Sequence, residues 1–375
     1  MPLRLYTGEP QHDNFCRMDE LYPAQHMSAS SSPFQFSDGP PITLPDTFAY
    51  QGQTQSTHQF IEDTDTSALL VLKDGAVRLE HYFLTGGRDV RWISWSMAKS
   101  FVSALIGIAV EDGRIGSVED TIGQYVPALL SSAYGAVRIK DVLQMSSGAR
   151  WNEDYSDPNS DIHRLGAVMV GERSLADFVG EIVPATQPGT FCQYNSADTQ
   201  ALAMMLTAAT GTSITAYMRE KLVEPLGMES AGYWITDSTA MEMALGGLNL
   251  TARDFAKIGE LYRNQGVWQG KQLVPKSWVA ASLSASADHL QPGKVVVGGH
   301  VFPFGYGYQW WIPEGDAGEF AAIGVYNQFV YVDPSRGAVI VKLSANRKYG
   351  TTPGEAENCE ERTLAFLRAT ARQLT

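Results

Sequence analysis

Ser96-Met97-Ala98-Lys99-Ser100-Phe101-Val102-Ser103-Ala104-Leu105-Ile106-Gly107-Ile108-Ala109 is the stretch from which the rest of this chain can be read. Phe101, Leu105, Ile108 and Ala109 recur at helical spacing until Asp112-Gly113 stops the run, so a largely buried helix is predicted from Met97 to Asp112. At its head stands the only Ser-x-x-Lys of the chain. Residues three apart share a helix face, so the Lys99 amine can reach the Ser96 hydroxyl, and the free N–H groups of the helix start favour a developing oxyanion. A serine hydroxyl attacks poorly until a base takes its proton, and a lysine is such a base only when burial or a nearby charge lowers its pKa. A pattern this loose also arises by chance, with Ser96 as a plain N-cap and Lys99 as a solvated side chain.

Outward from this helix the pattern changes on both sides. Upstream, Ala68 to Leu72 and Val77 to Tyr82 are short β-like runs around Lys73-Asp74-Gly75, a hairpin signature. Residues 1–65, rich in Ser, Pro, Gln and Asp, read as an irregular arm laid over the fold. Downstream, helical patterns dominate residues 113–239, among them Ser174 to Val183, Asp198 to Thr210 and Ile214 to Leu222, and read as an inserted all-α domain. Thr251 and Asp254 cap another helix, strands return at Tyr308 to Ile312, Gln328 to Val332 and Ala338 to Leu343, and Glu355 to Leu374 reads as a closing helix. Residues 66–112 and 240–375 thus form one mixed α/β (α+β) domain, an antiparallel sheet flanked by helices, with the α domain stacked on one end and the site at the seam.

That seam gives a second candidate, Phe191-Cys192-Gln193-Tyr194-Asn195-Ser196, between the Pro188-Gly189 turn and the next helix. Beside an ammonium, the phenol of Tyr194 could shuttle a proton to a leaving group, with Ser196 bonded to Lys99 or substrate. Taken alone, Tyr194 reads equally as a core aromatic and Ser196 as an N-cap.

Composition narrows the classes. The chain has 375 residues, 44% of them hydrophobic, and 41 acidic against 28 basic side chains give a net charge of -13. That surface repels phosphate backbones and anionic membranes, so nucleic acid and membrane are not expected partners. Cys16, Cys192 and Cys359 lack paired spacing and are expected to be reduced thiols in a cytoplasmic protein, the apolar run from Phe101 to Val110 being too short to span a bilayer. His163, His289 and His300 have no ligand spacing, and neither a metal nor an organic cofactor is expected. There is no Gly-x-Ser-x-Gly elbow of the α/β-hydrolase kind.

In its order of Ser-x-x-Lys, Leu143-Gln144-Met145-Ser146-Ser147-Gly148, Tyr194-x-Ser196, Glu224-Pro225-Leu226-Gly227-Met228 and Gly246-Gly247-Leu248, the chain resembles the serine β-lactamase and penicillin-binding superfamily from about Ser67 onward, nearest to class C β-lactamases and their esterase relatives. Asp154-Tyr155-Ser156-Asp157-Pro158 and Ala338 to Ser344 are similar to the 6-aminohexanoate-dimer (nylon oligomer) hydrolases. The resemblance implies Ser96, Lys99 and Tyr194 as catalytic residues of an acyl-enzyme hydrolase of small esters or linear amides, Tyr155 closing over the substrate, and Trp151 lining the same pocket. The loop's Asp154 and Asp157, with its aromatics, suit an amphiphilic or cationic substrate, although Asp157-Pro158 also reads as a plain turn. One departure stands out: where β-lactamases carry Lys-Thr-Gly, this chain has Ala322-Ile323-Gly324 followed by Val325 and Tyr326, so the partner of a β-lactam carboxylate is missing. Gly324 still permits close approach, which makes the Ser96 and Val325 N–H groups the expected oxyanion hole, with Ser196, Gly324 and Tyr326 beside the substrate. The alternatives are a β-lactamase or D-aminopeptidase-like enzyme, disfavoured by the missing lysine, and a catalytically silent scaffold, which has no physical reason to keep Ser96, Lys99 and Tyr194 together. The resemblance also favours a homodimer.

Overall fold

A computed structural model describes residues 3–374. Strands Thr66–Lys73 and Ala76–Tyr82 turn through Asp74-Gly75, both at positive φ (+47° and +74°), the two-residue turn whose twist matches that of the strands. The hairpin sits in an eight-stranded sheet whose order is Gly305–Tyr306, Trp311–Ile312, Phe320–Gly324, Gln328–Asp333, Ala338–Ser344, Thr66–Lys73, Ala76–Tyr82, Ser37–Asp38. Every pairing is antiparallel except the last, which is parallel. Ala338–Ser344 is buried on both faces, which is why it reads as an unbroken apolar run interrupted only by Lys342. Val339 and Val341 face the helix Ala252–Arg263, where a Cβ on Gly259 would lie 2.8 Å from Val330 and Val339; Ala338 and Ile340 share the opposite core with Leu364, Phe366 and Leu367 of the helix Glu360–Ala371.

The structure departs from the sequence expectations at four places. The arm of residues 1–65 is not irregular over its described part: it carries short helices such as His12–Phe15 and Thr57–Asp63 and strands such as Ala24–Met27 and Thr47–Tyr50. Their order comes from packing, since Phe15 and Met18 are fully buried, and local periodicity carries no trace of it. The stretch 113–239 is helical up to Leu226, but Gly232–Ile235 is a strand, paired with Ala24–Met27 on one side and Leu248–Leu250 on the other. The expected strand over 308–312 shrinks to Trp311–Ile312, because Gln309 takes φ +61° and turns its amide inward to the Leu143 carbonyl at 2.9 Å. The closing helix is broken at Cys359, φ +60°.

Between sheet and helical lobe runs the helix Ala98–Glu111, buried from Ala98 to Ala109. Phe101 meets Phe255 edge-on at 6.1 Å, and a Cβ on Gly107 would lie 2.5 Å from the Trp278 ring. Helix propensity alone would favour Gly107→Ala by about 1 kcal/mol. The clash with a buried indole is expected to win, giving a net loss of about 1–3 kcal/mol read as a lower denaturation midpoint; an unchanged or raised midpoint would refute this packing.

Across the seam, helix Ser196–Thr210 begins on a buried carboxyl. Asp198 Oδ1 accepts from Ser147 Oγ (2.7 Å), Asn195 Nδ2 (2.8 Å) and Tyr134 Oη (3.0 Å), which fixes the turn carrying Tyr194 and Ser196. Burial pushes Asp198 up to about 8 despite these donors, while its Oδ2 has no partner among the described residues. The folded state therefore holds a proton that the unfolded chain releases near pH 4, and stability falls as pH rises from about 4 to 8. Asp198→Asn keeps the Oδ1 acceptor and is expected to flatten that slope, measured as midpoint against pH; an undiminished slope would place its origin elsewhere.

Candidate active site

Ser96 sits in a tight turn, Trp95–Met97, that leads into the buried helix. Trp95 holds φ +44°, a conformation that non-glycine residues rarely adopt, and Phe15 of the arm packs edge-on against its ring at 5.4 Å. The turn's first bond runs from the Met97 N–H to the Ser94 carbonyl at 3.2 Å, so the Ser96 N–H lies ahead of it. Lys99, three residues on and 1% exposed, donates to Ser96 Oγ (2.8 Å), Ser196 Oγ (3.1 Å) and the Leu245 carbonyl (2.6 Å). Burial pulls its ammonium down to about 8, and the charge of Glu153 works in the opposite direction.

Glu153 is a residue the sequence reading missed. It is 1% exposed and accepts four hydrogen bonds: from Trp151 Nε1 and the Ser196 N–H on Oε2, both at 2.7 Å, and from Tyr155 Oη (2.7 Å) and Ser196 Oγ (2.6 Å) on Oε1. A continuous polar chain thus runs Glu153, Ser196, Lys99, Ser96. No spacing signal marks Glu153; the available hint was an acidic residue between two aromatics, Trp151 and Tyr155, that were themselves candidates.

Tyr194 comes to the same place from the other lobe. Its N–H donates to Val296 O at 2.8 Å, its ring stacks on Trp311 at 5.1 Å, and Lys99 Nζ lies 5.3 Å from its ring centroid. Burial holds the phenol well above its ordinary value, Glu153 adds to this, and the adjacent Ser96 hydroxyl works the other way. Ser96 and Lys99 are joined directly, and Tyr194 borders them, close enough to Ser96 for that hydroxyl to act on its phenol.

The end of the strand Phe320–Gly324 presses on the nucleophile turn: a Cβ on Gly324 would lie 2.5 Å from Ser94 O and 3.0 Å from Ser96 N, so only glycine fits. Val325 follows and lines a cleft of about 360 Å3 together with Ser96, Ser196 and Tyr155. Trp151 does not line that cleft: its ring packs on Phe178 at 6.0 Å and its N–H serves Glu153. Tyr326 lies behind Val325 and stacks on Tyr6 of the arm. Asp154 and Asp157 are occupied by their own loop, accepting from Ser156 and Asn159 backbone N–H groups at 2.9 Å each, which is the turn reading. His163, expected to be an ordinary surface or core residue, borders the cleft and contacts the Tyr155 carbonyl at 3.1 Å.

This architecture has known counterparts. The model of the beta-lactamase family matches residues 57–362. The 6-aminohexanoate-dimer hydrolase of Paenarthrobacter ureafaciens is 30% identical over 363 residues, covering 90% of this chain and 89% of that protein. A Bacillus anthracis structure whose name provisionally makes it a 6-aminohexanoate-dimer hydrolase superposes with a TM-score of 0.84 at 25% identity, covering 99% of this chain and 98% of that one. A family VIII carboxylesterase shares the fold with a TM-score of 0.63 at 13% identity, over 84% of this chain and 95% of that one. With a family match over most of its length, a nucleophile turn closed by a glycine-ended strand, and a buried lysine bonded to the serine, the chain belongs to the beta-lactamase family.

Proposed function

We propose that the chain is a serine hydrolase that forms an acyl-enzyme on Ser96 and cleaves small esters or linear amides. The observation that carries this reading is the 2.8 Å contact between Lys99 Nζ and Ser96 Oγ inside a buried site. An amine drawn down to about 8 is neutral in a useful fraction near neutral pH and can accept the hydroxyl proton. Ser96 Oγ attacks the carbonyl carbon, and the Ser96 and Val325 N–H groups hold the oxyanion. Tyr194, exchanging a proton with Lys99, delivers it to the leaving oxygen or nitrogen. Water then enters, gives its proton to the same base, and releases the acid. The 6-aminohexanoate-dimer hydrolase relative supports a linear amide as substrate, and the carboxylesterase neighbour supports the fold's suitability for esters.

Among the described residues no helix is long and apolar enough to cross a membrane, and all three cysteines are unpaired. Unpaired thiols suit a reducing compartment, so we place the protein in the cytoplasm, acting on a small-molecule substrate, and as a homodimer by analogy.

Covalent labelling of Ser96 by a fluorophosphonate is expected, with Ser96→Ala abolishing both labelling and p-nitrophenyl butyrate hydrolysis by more than about 10^3-fold; labelling elsewhere, or none, would overturn the reading. Because the base must be neutral, kcat/KM should rise with pH through an acid limb near 8. Glu153 holds that limb up, so Glu153→Gln is expected to move it to lower pH while kcat/KM falls roughly tenfold; a limb that stays or rises would separate Glu153 from Lys99. Nitrocefin should be turned over at least about tenfold less efficiently than the ester, since Ala322 stands where a carboxylate-binding lysine would be; parity would restore the β-lactamase alternative.

A further inference from the structure

The cleft over Ser96 is walled on one side by residues 3–7 of the arm. Tyr6 is seated in an aromatic nest: its ring lies parallel to Tyr326 at 5.4 Å (interplanar 4°), 4.9 Å from Tyr155 and 5.3 Å from His163, edge-on. Its backbone N–H donates to Tyr326 Oη at 3.3 Å. Gly350 completes the seat, since a Cβ there would come within 2.7 Å of the Tyr6 ring and 2.9 Å of Tyr155 Cβ. The segment is also tied to itself and to the next part of the arm: the Arg4 carbonyl accepts from Thr7 Oγ1 (2.6 Å) and from Gln11 Nε2 (2.8 Å), and Phe15 is fully buried against Trp95 and Tyr326.

The chemistry of the walls is one-sided. Leu3 and Leu5 of the arm share the cleft with Ile162, Leu165, Met169 and Met243 of the body. Among the described residues lining it there is no carboxylate; the groups that can carry positive charge are Arg4, whose side chain is largely exposed and reaches Glu9 at 3.5 Å, and His163. Glu153, linked to the nucleophile through Ser196 and Lys99, does not line the cleft and has both oxygens engaged by Trp151, Tyr155 and Ser196. A cationic chain would find no carboxylate on these walls to pair with, whereas each methylene of a neutral chain gains roughly fourfold in binding when buried.

We infer that Leu5 and Tyr6 are specificity-determining residues: the arm completes an apolar pocket beside Ser96 that selects neutral, medium-length acyl chains over both acetyl and ω-ammonium acyl chains. The inference rests on the hydrolase reading above and adds to it the class of acyl group.

The experiment compares kcat/KM for p-nitrophenyl acetate, p-nitrophenyl hexanoate and the 6-amino analogue of the hexanoate, using wild-type protein, Leu5→Ala, Tyr6→Ala and Tyr6→Phe in the full chain. Fluorophosphonate titration of Ser96 counts the competent sites in each. Wild type should prefer hexanoate to acetate and to the amino analogue by at least about tenfold each. Leu5→Ala and Tyr6→Ala should cut the hexanoate-to-acetate ratio about fivefold, mainly through a higher KM for hexanoate, and Tyr6→Phe, which keeps the stacked ring, should preserve it. A ratio unmoved within twofold in both alanine variants, or a preference for the amino analogue, overturns the inference while leaving the hydrolase reading intact. Wild-type protein that neither labels at Ser96 nor turns over any of the three esters overturns the hydrolase reading, and this inference with it. Should Tyr6→Ala not fold, Leu5→Ala decides alone.

Discussion

Everything at the seam depends on holding an ammonium out of water. Lys99 is almost completely enclosed, and a charge so placed costs several kcal/mol unless its surroundings answer it. Three acceptors, from three separate parts of the chain, do so: Ser96 from the turn ahead of its own helix, Ser196 from the helical lobe, and the Leu245 carbonyl from the segment returning to the sheet. The incomplete compensation is what leaves the amine willing to lose its proton. The same three contacts lock the two lobes together at the place where the reaction occurs, so that cohesion of the fold and activation of the nucleophile are one arrangement.

Glu153 sets how far that arrangement goes. Its carboxylate reaches Lys99 only through Ser196, a distance at which it supports the ammonium without forming an ion pair with it. A direct pair would hold the amine protonated; no acid at all would leave it neutral, with a weaker hold on Ser196. By gathering Trp151, Tyr155 and Ser196 on two oxygens, the residue also fixes the loop that faces the substrate.

Ser96, Lys99 and the helix behind them were legible because local periodicity and a three-residue spacing survive in one dimension. The hairpin and the strand Ala338–Ser344 were legible for the same reason, an apolar run bounded by turn residues. What escaped was built from long-range contacts. Glu153 has no motif of its own and acquires its meaning from Ser196, 43 residues away. Trp151 was expected in the pocket because the family resemblance implied it, and only packing shows that its indole turns to Phe178. The arm looked formless because its order is borrowed from the surface on which it lies: Ser37–Asp38 and Ala24–Met27 are strands only by virtue of partners at Ala76–Val77 and Gly232–Ile235.

That borrowed order has a consequence for biogenesis. Tyr6 rests on Tyr326, 320 positions further along, and on Gly350 beyond it. During translation this segment of the arm therefore has no resting place until those later residues have been made, and the reaction chamber is roofed only after them. Val325, whose N–H is one of the two proposed oxyanion donors, is made immediately before Tyr326, so the oxyanion site and the seat of its roof reach the maturing protein together.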